Sequence, residues 1–564
     1  MPQTFVAETD FLVVGGGTAG CVLANRLSAS GAEVRLLEAG IDTPPDAVPD
    51  DIADVYPRSY YNHAYAWSGL TADQGADGTG VKTPFTQGRV MGGGSSIMGM
   101  IALRGQPNDY DSWAAQGAKG WSWEDSLPYF RRLERDLDFD GDLHGSDGPV
   151  TIRRHRVDEW PPFSSAIGAA AARRGYPVVE DMNAEFGDGF CRLPISATPT
   201  HRVSAAAAYL DADTRARRNL VIESETTVAR LLFDGTRCVG VSTIQGGVRR
   251  EFRARHVILS AGGIQSPSIL MRSGIGPAKH LESLGIPVVA PLEGVGGNLQ
   301  NHPVVYLATH IVEEARQPAE LRPQFISALR YSSGVAPEQQ GDMYLLIQNK
   351  SSWHAVGAAI GGIGVSLLRP DSRGTVRLTS SDPAALPDVR FRMLTEQHDF
   401  DRMVNGLQLA LELMQDSQVR PLRHELFAAG YSGVVRRLNK PGVTNQVLTR
   451  LLEAVLDSAD PIRHLALKYG IAAGDANEDR MQSRSWLEST VRRHAFGTYH
   501  PSGTCRIGSA DDPGSVVDPD CSVHGIAGLS VVDASVMPTV TRGNTNIPVT
   551  MIAEHAAERL AEKV

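Results

Sequence analysis

Four apolar residues, Phe11-Leu12-Val13-Val14, run straight into Gly15-x-Gly17-x-x-Gly20, and a helical pattern begins at Thr18. A buried strand here must turn sharply, pass close to a ligand and open a helix within a few residues. Glycine serves each step: the tight turn, the approach of backbone N–H groups to a pyrophosphate, and close helix packing. The spacing predicts a helix over 18–28, with Val22, Leu23 and Leu27 on one face and Gly31 just past its C-terminus. A second strand is expected over 34–38, closed by Glu38, where an acidic residue accepts hydrogen bonds from ribose hydroxyls. This is a βαβ opening, and it predicts a dinucleotide site.

A second glycine-rich loop, Gly88-Arg89-Val90-Met91-Gly92-Gly93-Gly94-Ser95-Ser96, follows. Two such loops point to a long, extended ligand held by several chain segments. FAD fits that description better than NAD. Further strands are expected over 256–262 and 529–533, and a C-terminal helix over 546–562. The segments between read differently, with scattered Pro and Arg, an alternating strand over 374–378 and a helical run over 400–414. The expected division gives 1–159, 215–310 and 491–564 to a nucleotide-binding domain, and 160–214 and 311–490 to a second domain inserted twice.

The chain's 564 residues are enough to enclose a deep pocket, and a net charge of −10 disfavours nucleic acid as a partner. The five cysteines are scattered without a CxxC pair, so neither a metal site nor a disulfide framework is expected. The first residues have no leader-like pattern, and no stretch is long and apolar enough for a membrane span. The expectation is a soluble, cytoplasmic protein.

Three further motifs complete the pattern: Ser266-Pro267-Ser268-Ile269-Leu270 with Ser273-Gly274-Ile275-Gly276; Tyr499-His500-Pro501-Ser502-Gly503-Thr504-Cys505-Arg506; and Asp533-Ala534-Ser535-Val536-Met537-Pro538 leading to Asn544-Thr545-Asn546-Ile547-Pro548. With the two glycine loops, these resemble, in order and over nearly the whole chain, the glucose–methanol–choline (GMC) family of FAD-dependent oxidoreductases. Arg104 to Trp113 and Gly120-Trp121-Ser122-Trp123 look most like its bacterial aryl- and heteroaryl-alcohol oxidases.

The resemblance implies an α/β fold, with a Rossmann-type FAD-binding domain and an inserted α+β substrate domain carrying an antiparallel sheet. It implies oxidation of a primary alcohol, an aryl or heteroaryl carbinol, to the aldehyde by hydride transfer to flavin N5. His500 matches the family's base, and imidazole suits the task because it takes a proton near neutral pH. Asn544 matches the residue that hydrogen-bonds the substrate oxygen; its other reading is a helix N-cap. The implied FAD contacts fall in three groups. The first is Gly15, Gly17, Thr18, Ala19, Glu38 and Ala39. The second is Arg89, Gly92, Gly94, Ser95, Met98, Gly99, Met100 and Ile101. The third is Val228, Ala261, Asp533, Ala534, Asn544, Thr545 and Asn546. The helix after Asn544 is expected to aim its positive end at the reduced ring.

Ile97 stands where some family members carry the histidine that tethers FAD, so the flavin is expected to be non-covalent. Met98 replaces a usual asparagine and Gly263 a usual alanine. His302 reads as structural, and His494 as outside the site. Phe496 and Tyr499 read equally as pocket or core. The electron acceptor is oxygen or another oxidant. The alternatives are an alcohol dehydrogenase using a non-oxygen acceptor and a lyase of the hydroxynitrile lyase type on the same fold.

Overall fold

The computed structural model describes residues 8–75, 80–335, 340–430, 433–458, 460–467 and 478–562. Its first sheet has a parallel half ordered Leu220–Glu223, Val34–Leu37, Thr9–Val14, Val248–Leu259, with Leu529–Val531 beyond. Phe11, Leu12 and Val13 are completely buried, as a parallel strand covered on both faces demands. The long strand Val248–Leu259 serves two partners. Its C-terminal half pairs with Thr9–Val14, while its N-terminal half joins an antiparallel meander with Arg237–Gln245 and Thr227–Asp234.

The helix Thr18–Ala29 follows the first strand, and Gly31 takes the left-handed backbone expected just past its end, at φ +96°. Gly15, at φ +101°, is required on two counts: a Cβ there would lie 2.6 Å from the Ser260 carbonyl. Helix Thr18–Ala29 packs beside the C-terminal helix Asn546–Ala561. Arg26 joins them by a two-pronged ion pair with the fully buried Glu554, at 2.8 Å per contact, and Tyr209 Oη donates to the same carboxylate.

The second sheet is antiparallel except at one edge, ordered Arg423–Ala428, Pro303–Ile311, Ile360–Leu367, Met343–Gln348, Phe325–Tyr331, Gly189–Arg192, Val178–Val179. Helix Gln397–Met414 lies on it. Two segments depart from the expected division of the chain. Pro303–Ile311 lies inside the second sheet, although residues to 310 were assigned to the nucleotide segments. Phe496–Gly497 pairs with it at Pro303 and Val304. The reason is local: the strand's N–H and C=O groups find their partners in Ile360–Leu367, and that ladder carries the chain from one sheet to the other. This pairing brings the segment before His500 to the end of the second sheet.

Candidate active site

A cavity of about 1680 Å³ lies between the two sheets. Two helix N-termini open on it. Thr18–Ala29 and Asn546–Ala561 each lack a side-chain cap and an acidic residue in the first turn, so their leading N–H groups are left for an anion. Thr18 Oγ1 donates to Asn546 Oδ1 at 2.8 Å and fastens the two ends together. The backbone around them is open: a Cβ on Gly94 or Gly99 would meet nothing within 4 Å. These features fit an extended dinucleotide carrying a pyrophosphate.

Glu38 sits at the same end. Its Oε2 accepts from Gly16 N and its Oε1 from Gly40 N, each at 2.7 Å, and burial pushes its pKa up to about 7. The carboxylate therefore also braces the glycine turn, with lone pairs left for a ribose. Asp533 is tied similarly, accepting from Gly262 N at 2.8 Å, Ser266 Oγ at 2.5 Å and Ser535 N at 2.7 Å.

Nineteen of the twenty-one residues expected at the cofactor line the cavity. The two exceptions have clear causes. Gly92 is a brace: its N–H donates to Gly16 O at 2.7 Å, and a Cβ there would lie 2.2 Å from Ser96 Oγ. Met100 points away from the cavity. Gly99 and Ile101 line it, while Met100 packs with Val55, Ile195 and Ala197 on the other side of an extended stretch. Gly263 also acquires a reason, since a Cβ would lie 2.3 Å from the Pro501 carbonyl oxygen.

His500 and Asn544 come together in the middle of the cavity wall, with Asn544 Nδ2 3.3 Å from His500 Nε2. An amide N–H facing Nε2 makes that nitrogen the acceptor, so the imidazole proton sits on Nδ1. Nδ1 has two neighbours at 2.9 Å, Thr498 Oγ1 and His302 Nδ1. Thr498 spends its own hydroxyl proton on the His302 carbonyl at 3.1 Å, leaving its oxygen to accept. The His500 backbone N–H donates to Asn301 Oδ1 at 3.0 Å. Burial, and then the charge of His302, hold the His500 pKa well below the usual imidazole value. Burial also lowers His302, to about 4.

Asn544 is not a cap: the cap position is Thr545, and no side chain caps the helix. His302, read from sequence as structural, touches His500 directly. The signal for this was its place in Asn301-His302-Pro303, next to the strand that crosses between sheets. His494, expected outside the site, lines the same cavity, as do Phe496 and Tyr499. Tyr499 adopts a left-handed backbone, φ +65°, rare for a bulky side chain. It is held there by Tyr60, whose hydroxyl lies 2.6 Å from its own, and by the Phe85 ring at 5.2 Å.

Beyond His500 the wall is aromatic and aliphatic, with Tyr60, Tyr61, Tyr306, Phe325, Leu346 and Phe496. Among the described lining residues, the only carboxylates are Glu38 and Asp533, both with the glycine turns at the dinucleotide end.

Models of the GMC oxidoreductase family match residues 9–304 and 370–553. The chain is 38% identical to a 5-(hydroxymethyl)furfural oxidase of Methylovorus sp. (strain MP688), over 98% of both chains. It is 34% identical to the human mitochondrial choline dehydrogenase, over 98% of this chain and 89% of that one. Among solved structures, pyridoxine 4-oxidase from Mesorbium loti superposes with a TM-score of 0.79 at 25% identity, covering 98% of each chain. A fungal aryl-alcohol oxidase superposes at 0.75 and 22% identity, covering 99% of this chain and 100% of that one, a likeness of fold. With two glycine turns and two uncapped helices converging on one cavity, this chain belongs to the GMC oxidoreductase family, and its cofactor is FAD.

Proposed function

We propose that the protein oxidises primary aryl or heteroaryl alcohols to aldehydes, with His500 as the base and Asn544 orienting the substrate oxygen. The pairing of His500 Nε2 with Asn544 Nδ2 at 3.3 Å carries this reading. An alcohol oxygen at the apex of a triangle over the pair reaches both and replaces the amide–imidazole contact, giving its proton to Nε2 and accepting from the amide. FAD, when bound, supplies the hydride acceptor. Thr498 and His302 keep the proton on Nδ1, so Nε2 stays free to take the substrate's. The aromatic wall excludes water and accepts a flat ring edge-on or offset.

Choline oxidation is the competing reading, since choline dehydrogenases are among the relatives. Aromatic faces hold a quaternary ammonium as well as a flat ring, so the wall alone serves both substrates. Charge weighs against choline: the cavity's described carboxylates, Glu38 and Asp533, stand at the dinucleotide end, and Arg437 and Lys440 also line it. A lyase without redox turnover would keep the same base but leave the flavin oxidised. We place the enzyme in the cytoplasm, where its five free and buried cysteines would stay reduced. Ile97, whose aliphatic side chain cannot bond the flavin, supports non-covalent FAD, so denaturation should release all of it.

Anaerobic mixing with an alcohol panel tests the reading. Benzyl-type and furan carbinols should bleach the flavin, and choline should not. Bleaching by choline alone would overturn the substrate class, and no bleaching by any alcohol would favour the lyase. Repeating the panel with oxygen and with a quinone identifies the acceptor.

A further inference from the structure

Helix Val443–Leu456 forms part of the outer cover of the cavity. Its inner face is buried through Thr449 and Leu456; Leu456 packs with Val356, Ile360 and Phe427, which also line the cavity. Its outer face is the anomaly. Val443, Val447, Leu448, Leu451 and Val455 all face solvent, with Val443 75% and Leu451 64% exposed. At about 100° per residue these five positions fall within an arc of roughly 140° on one side of the helix. The next helix, Asp460–Ala466, packs against it and exposes Ile462 and Leu465. Scattered exposed valines need no explanation, but a contiguous apolar face does.

The charges around this face are sorted. Glu453 and Asp457 share Arg316, and Asp460 shares Arg463 with Glu425. Arg437, Lys440 and Arg450 are exposed and have no ion pair among the described residues. A chain with net charge −10 thus carries exposed cations beside this apolar face. Arg437, Lys440 and Asn445 also line the cavity, so this rim is at its mouth.

We propose that this face is a membrane dock: the enzyme settles on an anionic bilayer surface through helices Val443–Leu456 and Asp460–Ala466, with the cavity mouth toward the lipid. An interfacial helix needs an apolar face to enter the acyl boundary and cations to meet the headgroups, and both are here. A second copy of the chain is the other occupant such a face could take, and the oligomeric state separates the two. The dock is compatible with the lack, among the described residues, of a helix able to cross a membrane. It would give the site access to alcohols, or to an electron acceptor, dissolved in the bilayer.

The test is co-sedimentation of the holoenzyme with phosphatidylcholine vesicles made with and without phosphatidylglycerol. Wild type should pellet with the anionic vesicles and be released by high salt. Arg437→Gln/Lys440→Gln/Arg450→Gln should bind about 100-fold more weakly, from three lost headgroup attractions. Val447→Ser/Leu451→Ser should bind at least about tenfold more weakly, with flavin content and turnover of a water-soluble aryl alcohol unchanged. Wild type left in the supernatant with anionic vesicles would overturn the proposal. So would a wild-type dimer that Val447→Ser/Leu451→Ser converts to monomer while neither form binds vesicles, which would make the face a subunit interface. Neither result touches the alcohol-oxidation reading, which the vesicle-free turnover reports separately.

Discussion

Burial strips His500 of the water that would hold a proton on it, and the neighbouring His302 adds repulsion against a second positive charge. The proposed base is therefore neutral, and ready, over the whole neutral range. The acid limb of kcat/KM should consequently lie below pH 6.5, the ordinary imidazole value, and not at it. A limb at or above that value would mean that burial does not govern this histidine. His500→Ala should retain FAD, since the glycine turns and helix ends hold it, and lose about 10²–10⁴-fold in flavin reduction. Asn544→Asp tests the other half of the pair. A carboxylate 3.3 Å from Nε2 cannot donate to the substrate oxygen, and it would stabilise the imidazolium. Flavin reduction should slow, and the acid limb should move to higher pH. An unchanged rate and profile would remove Asn544 from the active site.

At the scale of elements, much rests on two helices whose N-termini meet. Glu554 is buried and holds both prongs of Arg26 and the Tyr209 hydroxyl, tying helix to helix far from the ligand. Glu554→Gln keeps the shape but loses the charge. It should cost about 2–3 kcal/mol in a urea melt and weaken FAD retention as the helix ends drift apart. A melt and a flavin content both equal to wild type would show that packing alone sets the helices. Strands, glycine turns and the C-terminal helix were legible in the sequence because each follows local rules: apolar runs, left-handed glycines, helix stops. His500 and Asn544 were legible through the family motif. The role of Met100 was not, since alternation along an irregular stretch leaves no periodic trace. Nor was the contact of His302 with His500, which depends on the strand Pro303–Ile311 joining the second sheet. The apolar outer face of Val443–Leu456 also escaped, because an apolar face in sequence does not say whether it will be covered.

The molecule as a whole carries several imidazoles that the fold keeps uncharged. Burial holds His302 and His354 near 4 and His555 near 3. In the unfolded chain each titrates near 6.5, so below that pH the unfolded state binds more protons and stability must fall with acid. From pH 6.5 to 5 the cost is about 2 kcal/mol per histidine. Glu38 works in the opposite sense. Its pKa is raised to about 7, so it is protonated in the fold while still ionised when unfolded, returning about 2 kcal/mol between pH 7 and 5. The buried His144 does not add to the loss. Asp136, Asp181 and Glu134 raise its pKa to about 10, and it stays charged in the fold throughout this range. The balance is a protein that weakens as pH falls from 6.5 toward 4. His555 offers the cleanest test, because it lies away from the cavity. Its ring stacks on Tyr129 and sits against Trp121, both at 4.3 Å, and the Arg559 charge reinforces the effect of burial. His555→Phe keeps an aromatic ring in that slot and removes the titration. Urea melts of wild type and variant from pH 7 to 5 should give stability curves that converge at neutral pH and separate in acid. The variant's slope should be smaller by one proton, about 1.4 kcal/mol per pH unit. Parallel curves would mean that His555 is protonated in the folded protein, and that burial between two rings fails to keep the charge out.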